Sequence, residues 1–396
     1  MKRYPQGPIV IAAGGTGGHL FPGQALAQEL RRRGRRIALI TDERVQRFDR
    51  LFPDADIYPV PAATPSGKGI VGLVKAAPAI LAGVARSFAI LGRIKPAALI
   101  GFGGYPTLPP VAAAILRGVP VCVHEQNAVL GRVNRLVAPY VGAIASTFDA
   151  PKFLKARDAA KLALTGNPVR DAVMAVAGRP YEAPAGESRI HLLVFGGSQG
   201  ARVMSDVVPA ALARLPDALR RRLSVVQQAR AEDIERVRTI YAAAGIEAEL
   251  SHFFDDMPER LATAHLVIGR SGASTISELA IVGRPSILVP LPHSLDNDQK
   301  ANAEKLASVG AAWAIEQKNF TEVALTGMLT SLLTDPVQLA DAAHAAKAQG
   351  QPNAVRALAD LVERLGRGEL EAHPAFEKTT DTAGGAGPLK FATGGA

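Results

Sequence analysis

Short apolar runs alternate along this chain with longer stretches whose apolar positions recur at helical spacing. In the first half the runs Ile9–Ala13, Ile37–Thr41, Ala98–Gly101, Val119–His124 and Ala143–Ser146 read as strands. Helical patterns fill much of Pro22–Arg33, Ile70–Ile94, Leu108–Arg117 and Gly131–Val137, with Pro78 interrupting the second. The second half repeats the scheme, with strands expected at His191–Phe195, Leu223–Gln228, Ala248–Phe253, Leu266–Gly269, Ser286–Val289 and Ala312–Ile315. Strands that alternate with helices imply parallel sheets joined by right-handed crossovers. The pattern therefore predicts an α/β protein of two doubly wound domains facing one cleft. Their boundary is expected near Thr165–Arg170, and Tyr181–Ser188 reads as a polar loop before the second sheet. Val355, Leu358, Ala359, Val362 and Leu365 share one face of a last helix that Asn353 is placed to cap. Beyond it, residues 367–396 carry too little apolar surface to offset their ordering entropy and are expected to be disordered.

Each half opens on the same device. IVIAAGGTGGH, Ile9 to His19, and HLLVFGGSQGA, His191 to Ala201, are both an apolar run, a glycine cluster and the start of a helical pattern. Gly14 matches Gly196, Gly15 matches Gly197, Thr16 matches Ser198 and Gly18 matches Gly200. Such a strand–turn–helix unit presents backbone N–H groups and a helix N-terminus to a phosphate, worth about 0.3–1 kcal/mol at an exposed site. Neither turn spells GxGxxG or ends in GK[ST], so neither is a dinucleotide or triphosphatase fingerprint. A close strand–helix packing turn would also account for one such cluster; the duplication favours ligand binding. His19 alone follows its turn with an imidazole, a group able to accept a proton near neutrality.

Composition narrows this further. The 396 residues can bury two cores, and 48% hydrophobic content with few aromatics fits a soluble α/β chain. A formal net charge of +9 favours anionic partners without separating phosphates from nucleic acid or an acidic membrane. The single cysteine, Cys122 in the apolar run VPVCVH, excludes an internal disulfide framework and a multi-cysteine metal site. Ile9–Ala13 is too short for the core of a secretory signal, and the uncharged stretches Tyr4–Gln28 and Pro96–Leu116 are broken by glycine and proline.

An ordered series of short motifs is more specific. GGTGGH at Gly14–His19 is followed by GGYP at Gly103–Pro106, HEQN at His124–Asn127 and GNPVR at Gly166–Arg170. GGSQGAR at Gly196–Arg202, FDDM at Phe254–Met257, RSGAST…SE within Arg270–Glu278 and DNDQKANA at Asp296–Ala303 complete it. In this order and spacing the chain closely resembles the MurG family, from about Ile9 to Leu365. The resemblance implies a GT-B fold: residues 1–168 as an acceptor- and membrane-facing domain, rejoined by a returning helix at about 350–366, and residues 169–349 as the donor-binding domain. It implies inverting transfer of N-acetylglucosamine from UDP-GlcNAc to the 4-hydroxyl of undecaprenyl-pyrophosphoryl-MurNAc-pentapeptide (lipid I), giving lipid II for peptidoglycan. No metal, no cofactor and no nucleic acid are expected. The implied location is peripheral, on the cytoplasmic face of the bacterial inner membrane, against an anionic surface and near cell-wall and division proteins.

The resemblance also implies roles. His19 is the expected general base, the alternative being a positioning role for the acceptor; Thr16, Gly17 and Gly18 border the donor sugar. Ser198 and Gln199 would hold the donor diphosphate, and Phe254 would offer its backbone to uracil. Ala273, Ser274, Thr275, Ile276, Ser277 and Glu278 form the segment SGASTISE, in which the Glu278 carboxylate is suited to a pair of ribose hydroxyls. Gln299 would touch the transferred sugar. Asn127 and Arg170 match cleft positions, Arg170 being equally suited to an interdomain salt bridge, and Glu125 reads first as a loop anchor. Two departures stand out: Gln227-Gln228-Ala229-Arg230 in place of His-Gln-x-Gly, and Asp298 where His or Gln is usual.

Ile70, Val74, Ala77, Leu81, Val84, Phe88 and Leu91 form one apolar helical stripe, with Lys75, Arg86 and Arg93 along another line. Most of the stripe is expected to face the core, leaving a few residues around Ile70–Leu91 for peripheral membrane contact. A UDP-GlcNAc epimerase, a non-catalytic nucleotide-sugar module and a diacylglycerol glycolipid synthase share parts of this pattern and remain the competing readings.

Overall fold

The computed structural model describes residues 4–15, 17–42, 52–64, 70–197 and 200–370. The first lobe runs β1 (Ile9–Ala12), α1 (Gly17–Arg32), β2 (Ile37–Thr41), β3 (Asp56–Pro59), α2 (Ile70–Ile94), β4 (Ala98–Gly101), α3 (Leu108–Arg117), β5 (Val121–Glu125), α4 (Arg132–Val137), β6 (Ala143–Ser146) and β7 (Leu162–Leu164). A short helix, α5 (Asp171–Val176), leads into the second. There β8 (Ile190–Phe195), α6 (Arg202–Ala213), α7 (Asp217–Arg220), β9 (Leu223–Gln228), α8 (Ile234–Ala243), β10 (Glu247–Ser251), α9 (Met257–Thr263) and β11 (Leu266–Gly269) follow. The described residues close with α10 (Ala273–Val282), β12 (Ser286–Leu288), α11 (Asp298–Ser308), β13 (Ala312–Ala314), α12 (Glu322–Leu333), α13 (Pro336–Ala348) and α14 (Ala354–Arg367).

Both sheets are parallel and share one topology. The first is ordered β3-β2-β1-β4-β5-β6-β7 and the second β10-β9-β8-β11-β12-β13. Each reverses its direction of growth beside its first strand: Ile9 pairs with Ile37 and Ala98, and Leu192 with Val225 and Leu266. A crevice opens beyond the strand ends at that reversal, where ligands of open α/β sheets bind. The glycine turns follow β1 and β8, so each stands at its sheet's switch point.

Burial on both faces explains why the strands read as unbroken apolar runs. Ile9 and Ile11 point into a core completed by Leu26, Leu30, Leu358, Val362 and Leu365, whereas Val10 and Ala12 meet Leu91 and Val111 on the other face. Helix α14 thus belongs to the first lobe although it ends the described chain. Arg33 fastens it through Asp360 at 2.5 Å and Glu363 at 3.0 Å. Asn353 occupies its N-cap position but forms no side-chain cap hydrogen bond, contrary to expectation. Leu370 still packs against the first core, so the ordered chain outlasts the expected limit at Arg367; residues 371–396 lie outside the described residues.

Three further differences have physical causes. Helix α1 starts at Gly17, taking in Pro22, because a proline this near the helix start removes only one hydrogen bond. Strands β3, with sequence DIYP, and β7, with LAL, are short edge strands lacking the buried apolar run that marks the others. The long helix α2 passes through Pro78 without ending, its exposed ring costing one bond in a helix of 25 residues.

The orientation of α2 divides its stripe: Leu91 is buried and Val84 packs against the core, while Leu81 and Phe88 are left outside. Its buried line is made of small residues and Leu91: Gly72, Ala76, Gly83, Ser87. A methyl group on Gly83 would stand 2.1 Å from the Pro61 carbonyl oxygen and 3.0 Å from Pro109 Cβ, so the helix approaches its neighbours there too closely for any side chain. Leu81, 67% exposed, and Phe88, 39% exposed, therefore face outward with Lys75, Arg86 and Arg93. The side chains of Ile70 and Val74 lie outside the described set.

This packing makes a testable contrast. Gly83→Ala should destabilise the protein by about 1–3 kcal/mol through overpacking, whereas Leu81→Ala at the surface should stay within about 0.5 kcal/mol. Urea unfolding midpoints of the two variants measure the difference, and equal midpoints would contradict this placement of α2.

Candidate active site

The first glycine turn is tight on one side and open on the other. A methyl on Gly14 would meet Pro106 Cβ at 2.9 Å, Thr41 Oγ1 at 3.2 Å and Asp42 Oδ2 at 3.3 Å. Gly15 has φ 87°, a conformation that L side chains rarely adopt. Gly17 and Gly18 then open α1, which carries His19 one residue later. The GGYP loop receives the imidazole: a methyl on Gly104 would lie 3.3 Å from His19 Cδ2 and Nε2, and one on Gly103 would lie 3.6 Å from Cε1. Together they bound a cavity of about 100 Å³ lined also by Tyr105, Glu125, Asn127 and, from the second lobe, Asp298.

His19 Nδ1 is buried without a hydrogen-bond partner. Burial lowers the imidazole pKa from 6.5, outweighing the Gln126 side chain, the Phe102 carbonyl and the Asp298 charge, which favour the proton. The ring is therefore neutral at pH 7 and available as a base.

HEQN works beneath it as a scaffold. His124 Nε2 lies 2.9 Å from the Gly166 carbonyl oxygen, and the Gln126 amide approaches His124 Nδ1 at 3.0 Å and the Phe102 carbonyl at 3.1 Å. An amide donor facing Nδ1 fixes the tautomer protonated on Nε2. Glu125 accepts from the backbone N–H groups of Asn127 at 3.0 Å and Gly131 at 2.7 Å, and from Asn134 Nδ2 at 2.9 Å. Burial raises its pKa while these donors oppose the shift. Its oxygens are committed to holding the loop.

The second lobe supplies the flanks of a glycine turn and a helix start. At Gly196 the chain returns so closely that a methyl would lie 2.2 Å from Ala201 N. The Gly196 N–H donates to Gln228 Oε1 at 3.2 Å, and Gln228 Nε2 donates onward to the His252 carbonyl at 3.1 Å. Gln228 belongs to the segment that departs from the family pattern, yet it braces the turn. Arg230 of the same segment lays Cγ within 3.2 Å of a methyl placed on Gly200, which brings a guanidinium to the turn's edge. The expectations for Thr16, Ser198 and Gln199 lie outside the described residues.

Helix α10 begins after Gly272, so the N–H groups of Ala273, Ser274 and Thr275 point out of its N-terminus. Ser274 Oγ is buried with no partner. Ile276 is buried, and Ser277 Oγ donates to the Ala273 carbonyl at 2.9 Å while accepting from Asn167 Nδ2 at 3.1 Å. Glu278 is buried, not the usual exposed helix charge, and burial raises its pKa against the pull of Arg170. Arg170 Nη2 reaches Glu278 Oε1 at 3.0 Å, and its Cζ lies 4.8 Å over the ring of Phe21 in the first lobe, bridging the two. Phe254 is buried, its ring 4.1 Å under the Arg260 guanidinium. Gln299 spends Oε1 on the Leu291 N–H at 3.0 Å, which leaves its amide hydrogens for other partners.

Asn302, unassigned by sequence reasoning although it lies in DNDQKANA, joins the two sides. Fully buried, it accepts the Ala128 N–H at 2.8 Å and donates to Asn127 Oδ1 at 2.9 Å and the Ser271 carbonyl at 3.1 Å. Ser271 Oγ donates in turn to the Gln299 carbonyl at 2.7 Å. Buried amides at interfaces are drawn from a motif but their partners come from the other lobe, so no local signal marks them.

The profile of the glycosyltransferase family 28 N-terminal domain matches residues 9–146, and that of the family 28 C-terminal domain matches residues 191–358. The UDP-N-acetylglucosamine--N-acetylmuramyl-(pentapeptide) pyrophosphoryl-undecaprenol N-acetylglucosamine transferase of Rhodospirillum centenum is 50% identical over 355 residues, covering 90% of this chain and 93% of its own. The crystal structure of Acinetobacter baumannii MurG superimposes with TM-score 0.74 at 28% identity, over 90% of this chain and 99% of that one. A Neisseria meningitidis UDP-GlcNAc 2-epimerase bound to UDP-GlcNAc gives TM-score 0.64 at 12% identity, over 89% and 98% of the two chains, a likeness of fold alone.

The buried scaffold predicts an acid-sensitive protein. Burial pushes His124 down to about 4 from 6.5, so the unfolded chain binds its proton first as pH falls. The contribution of neutral His124 is complete above pH 6.5 and is lost as pH drops towards and through 4, at up to about 1.4 kcal/mol per pH unit. His265, also pushed down to about 4 by burial, adds to the same window. Urea midpoints should fall across that interval, and His124→Gln should flatten the slope while lowering stability overall; an unchanged slope would contradict this role.

Proposed function

Since the chain belongs to the MurG family of family 28 glycosyltransferases, we infer that it transfers N-acetylglucosamine from UDP-GlcNAc to lipid-linked N-acetylmuramyl-pentapeptide (lipid I), giving lipid II for peptidoglycan. The observation that carries the site assignment is a neutral His19 held in a cavity whose opposite wall, Asp298, adjoins Gln299. The muramyl 4-hydroxyl occupies that cavity and gives its proton to His19 as its oxygen attacks the anomeric carbon. The bond from that carbon to the diphosphate oxygen breaks, and UDP departs with the electron pair. Attack from the first lobe on a donor held by the second proceeds from the face opposite the leaving group and inverts the anomeric centre. Asp298 stabilises the imidazolium formed in this step.

The leaving diphosphate lies across the Gly196–Gly200 turn, Ser198 and Gln199 included, with the N-terminus of α10 and its unpartnered Ser274 hydroxyl beside it. Backbone dipoles and Arg230 supply the positive potential, so the reaction as written needs no metal. Glu278 receives the ribose hydroxyls, the Phe254 backbone receives uracil, and Gln299 with Asn127 orients the sugar. Gly17 and Gly18 let Thr16 and the start of α1 approach it.

The acceptor's lipid requires membrane contact. Among the described residues, Lys75–Ile94 is the one helical stretch long and apolar enough to cross a bilayer by length and composition. As α2, however, it is the crossover between β3 and β4 of one sheet, packed on α3, and extracting it would dismantle that sheet. Leu81, Phe88 and Leu116 are exposed beside Lys75, Arg86, Arg93 and Arg117, an apolar surface with cations suited to an anionic bilayer. The enzyme thus docks peripherally, at the cytoplasmic face where UDP-sugars are made, with cell-wall and division proteins as expected neighbours.

Three outcomes test this reading. The pure protein, with chelator present, should move label from UDP-GlcNAc into lipid II; label recovered as a free 2-epimer, UDP-ManNAc, would contradict it. His19→Ala should cut the transfer rate about 10²–10⁴-fold while UDP binding persists, and the acid limb of kcat/KM should lie below 6.5 and move lower still in Asp298→Asn. Leu81→Ser and Phe88→Ser should each weaken binding to phosphatidylglycerol vesicles by about tenfold, the loss of one inserted apolar side chain.

A further inference from the structure

Helix α4 carries Arg132 into the lining of the His19 cavity and Arg135 one turn further on, and both converge on Asp296 of the facing lobe. Arg132 Nη2 stands 3.3 Å from Asp296 Oδ1, and Arg135 pairs with Asp296 Oδ2. Tyr105 of the GGYP loop lies beside Arg132, and Phe153 stacks under Arg135 at 4.6 Å. Two cations share one anion here, so Asp296 by itself does not neutralise the pair. Arginine forks that grip a carboxylate in this way match phosphate oxygens equally well.

The segment supplying Asp296 is unusual. Asp296 itself has φ 55° and ψ 24°, Asn297 has φ 56°, and His293 has φ 57°, all left-handed and none glycine. Such conformations cost energy and persist where the surroundings compensate them. Residues Leu295–Asn297 bury nothing. Among the described contacts, the compensation for Asp296 comes from the two arginines across the cleft. Its pKa is lowered from the carboxylate norm by those same guanidinium groups against the burial penalty, so it is ionised there.

The surroundings indicate which anion the pair serves. On one side of α4 lies the cavity of His19. On the same short helix and the turn after it, Leu136 is 60% and Tyr140 56% exposed. A ligand with its reacting sugar at His19 and an apolar chain over Leu136 and Tyr140 must carry its linking group past Arg132 and Arg135. For the acceptor inferred above that group is a diphosphate.

We propose that Arg132 and Arg135 form the acceptor-diphosphate subsite, and that Asp296 of the donor lobe occupies it as a resident counter-ion until the acceptor displaces it. The proposal rests on the transferase reading and identifies a part of the acceptor site. Binding exchanges one anion for another, so the arginines are never left unpaired, and the loop at 293–297 is released as the diphosphate arrives.

The test measures KM for each substrate with a short-chain, water-soluble lipid I analogue that keeps the diphosphate. Arg132→Gln and Arg135→Gln should each raise the acceptor KM by about tenfold, the loss of one charge-assisted contact, and leave the UDP-GlcNAc KM unchanged. Arg135→Lys should recover much of the loss, and Asp296→Asn should lower the acceptor KM several-fold. Inorganic pyrophosphate should compete with the acceptor in the wild type and less well in the arginine variants. A wild type that transfers while the arginine variants keep a normal acceptor KM would overturn the subsite alone; a wild type that transfers nothing would overturn the transferase reading. Arginine variants that lose only binding to phosphatidylglycerol vesicles would reassign the pair to lipid headgroups, and an Asp296→Asn variant with a raised acceptor KM would refute the counter-ion role.

Discussion

One buried amide holds the two lobes in register. Asn302 makes three hydrogen bonds, two into the loop after β5 and one to the backbone that precedes α10. Because Asn302 is fully buried, each lost bond would leave a desolvated polar group, at a cost of about 1–3 kcal/mol. The relative placement of His19 and Gln299 depends on this joint, because Asn127 and Ser271 each connect it to one side of the cleft. Arg170, held by Glu278 of its own lobe, adds a second tie through its guanidinium, stacked over Phe21 of the first.

The two halves show how one topology yields different chemistry. Both sheets place a glycine turn at their reversal of strand order, and both turns need glycine, for close approach at Gly14 and Gly196 and for a left-handed φ at Gly15 and Gly197. After the first turn the helix brings an imidazole into a slot made by Gly103 and Gly104; after the second, Ala201 leaves the crevice clear and Gln228 braces the backbone. Neutral His124 below the slot and ionisable His19 within it divide the work. The former is locked by an amide on each side, whereas the latter has an empty nitrogen and a carboxylate facing it from the other lobe.

Much of this was legible in the sequence because it is local. Strands buried on both faces read as apolar runs, and α3 was bounded correctly at Leu108 and Arg117 by its period and its flanking prolines and glycine. What escaped depends on partners. Within the stripe from Ala77 to Phe88, Val84 packs inward, but close packing at Gly83 leaves Leu81 and Phe88 outside, and no periodicity reports that glycine's neighbours. Strands β3 and β7 are edges of a few residues with no apolar signature. Asn353 has the right type and place for a cap and makes no such bond. The counter-ion Asp296 and the joint Asn302 lie inside a quoted motif, yet their roles come from α4 and the HEQN loop, far away in sequence.

The most direct test is the structure of the protein bound to UDP-GlcNAc. The account predicts the diphosphate across residues 196–200 and the N-terminus of α10, the ribose at Glu278, and the anomeric carbon turned across the cleft towards His19 with the sugar against Gln299. A uridine seated elsewhere, or a sugar directed away from His19, would contradict it.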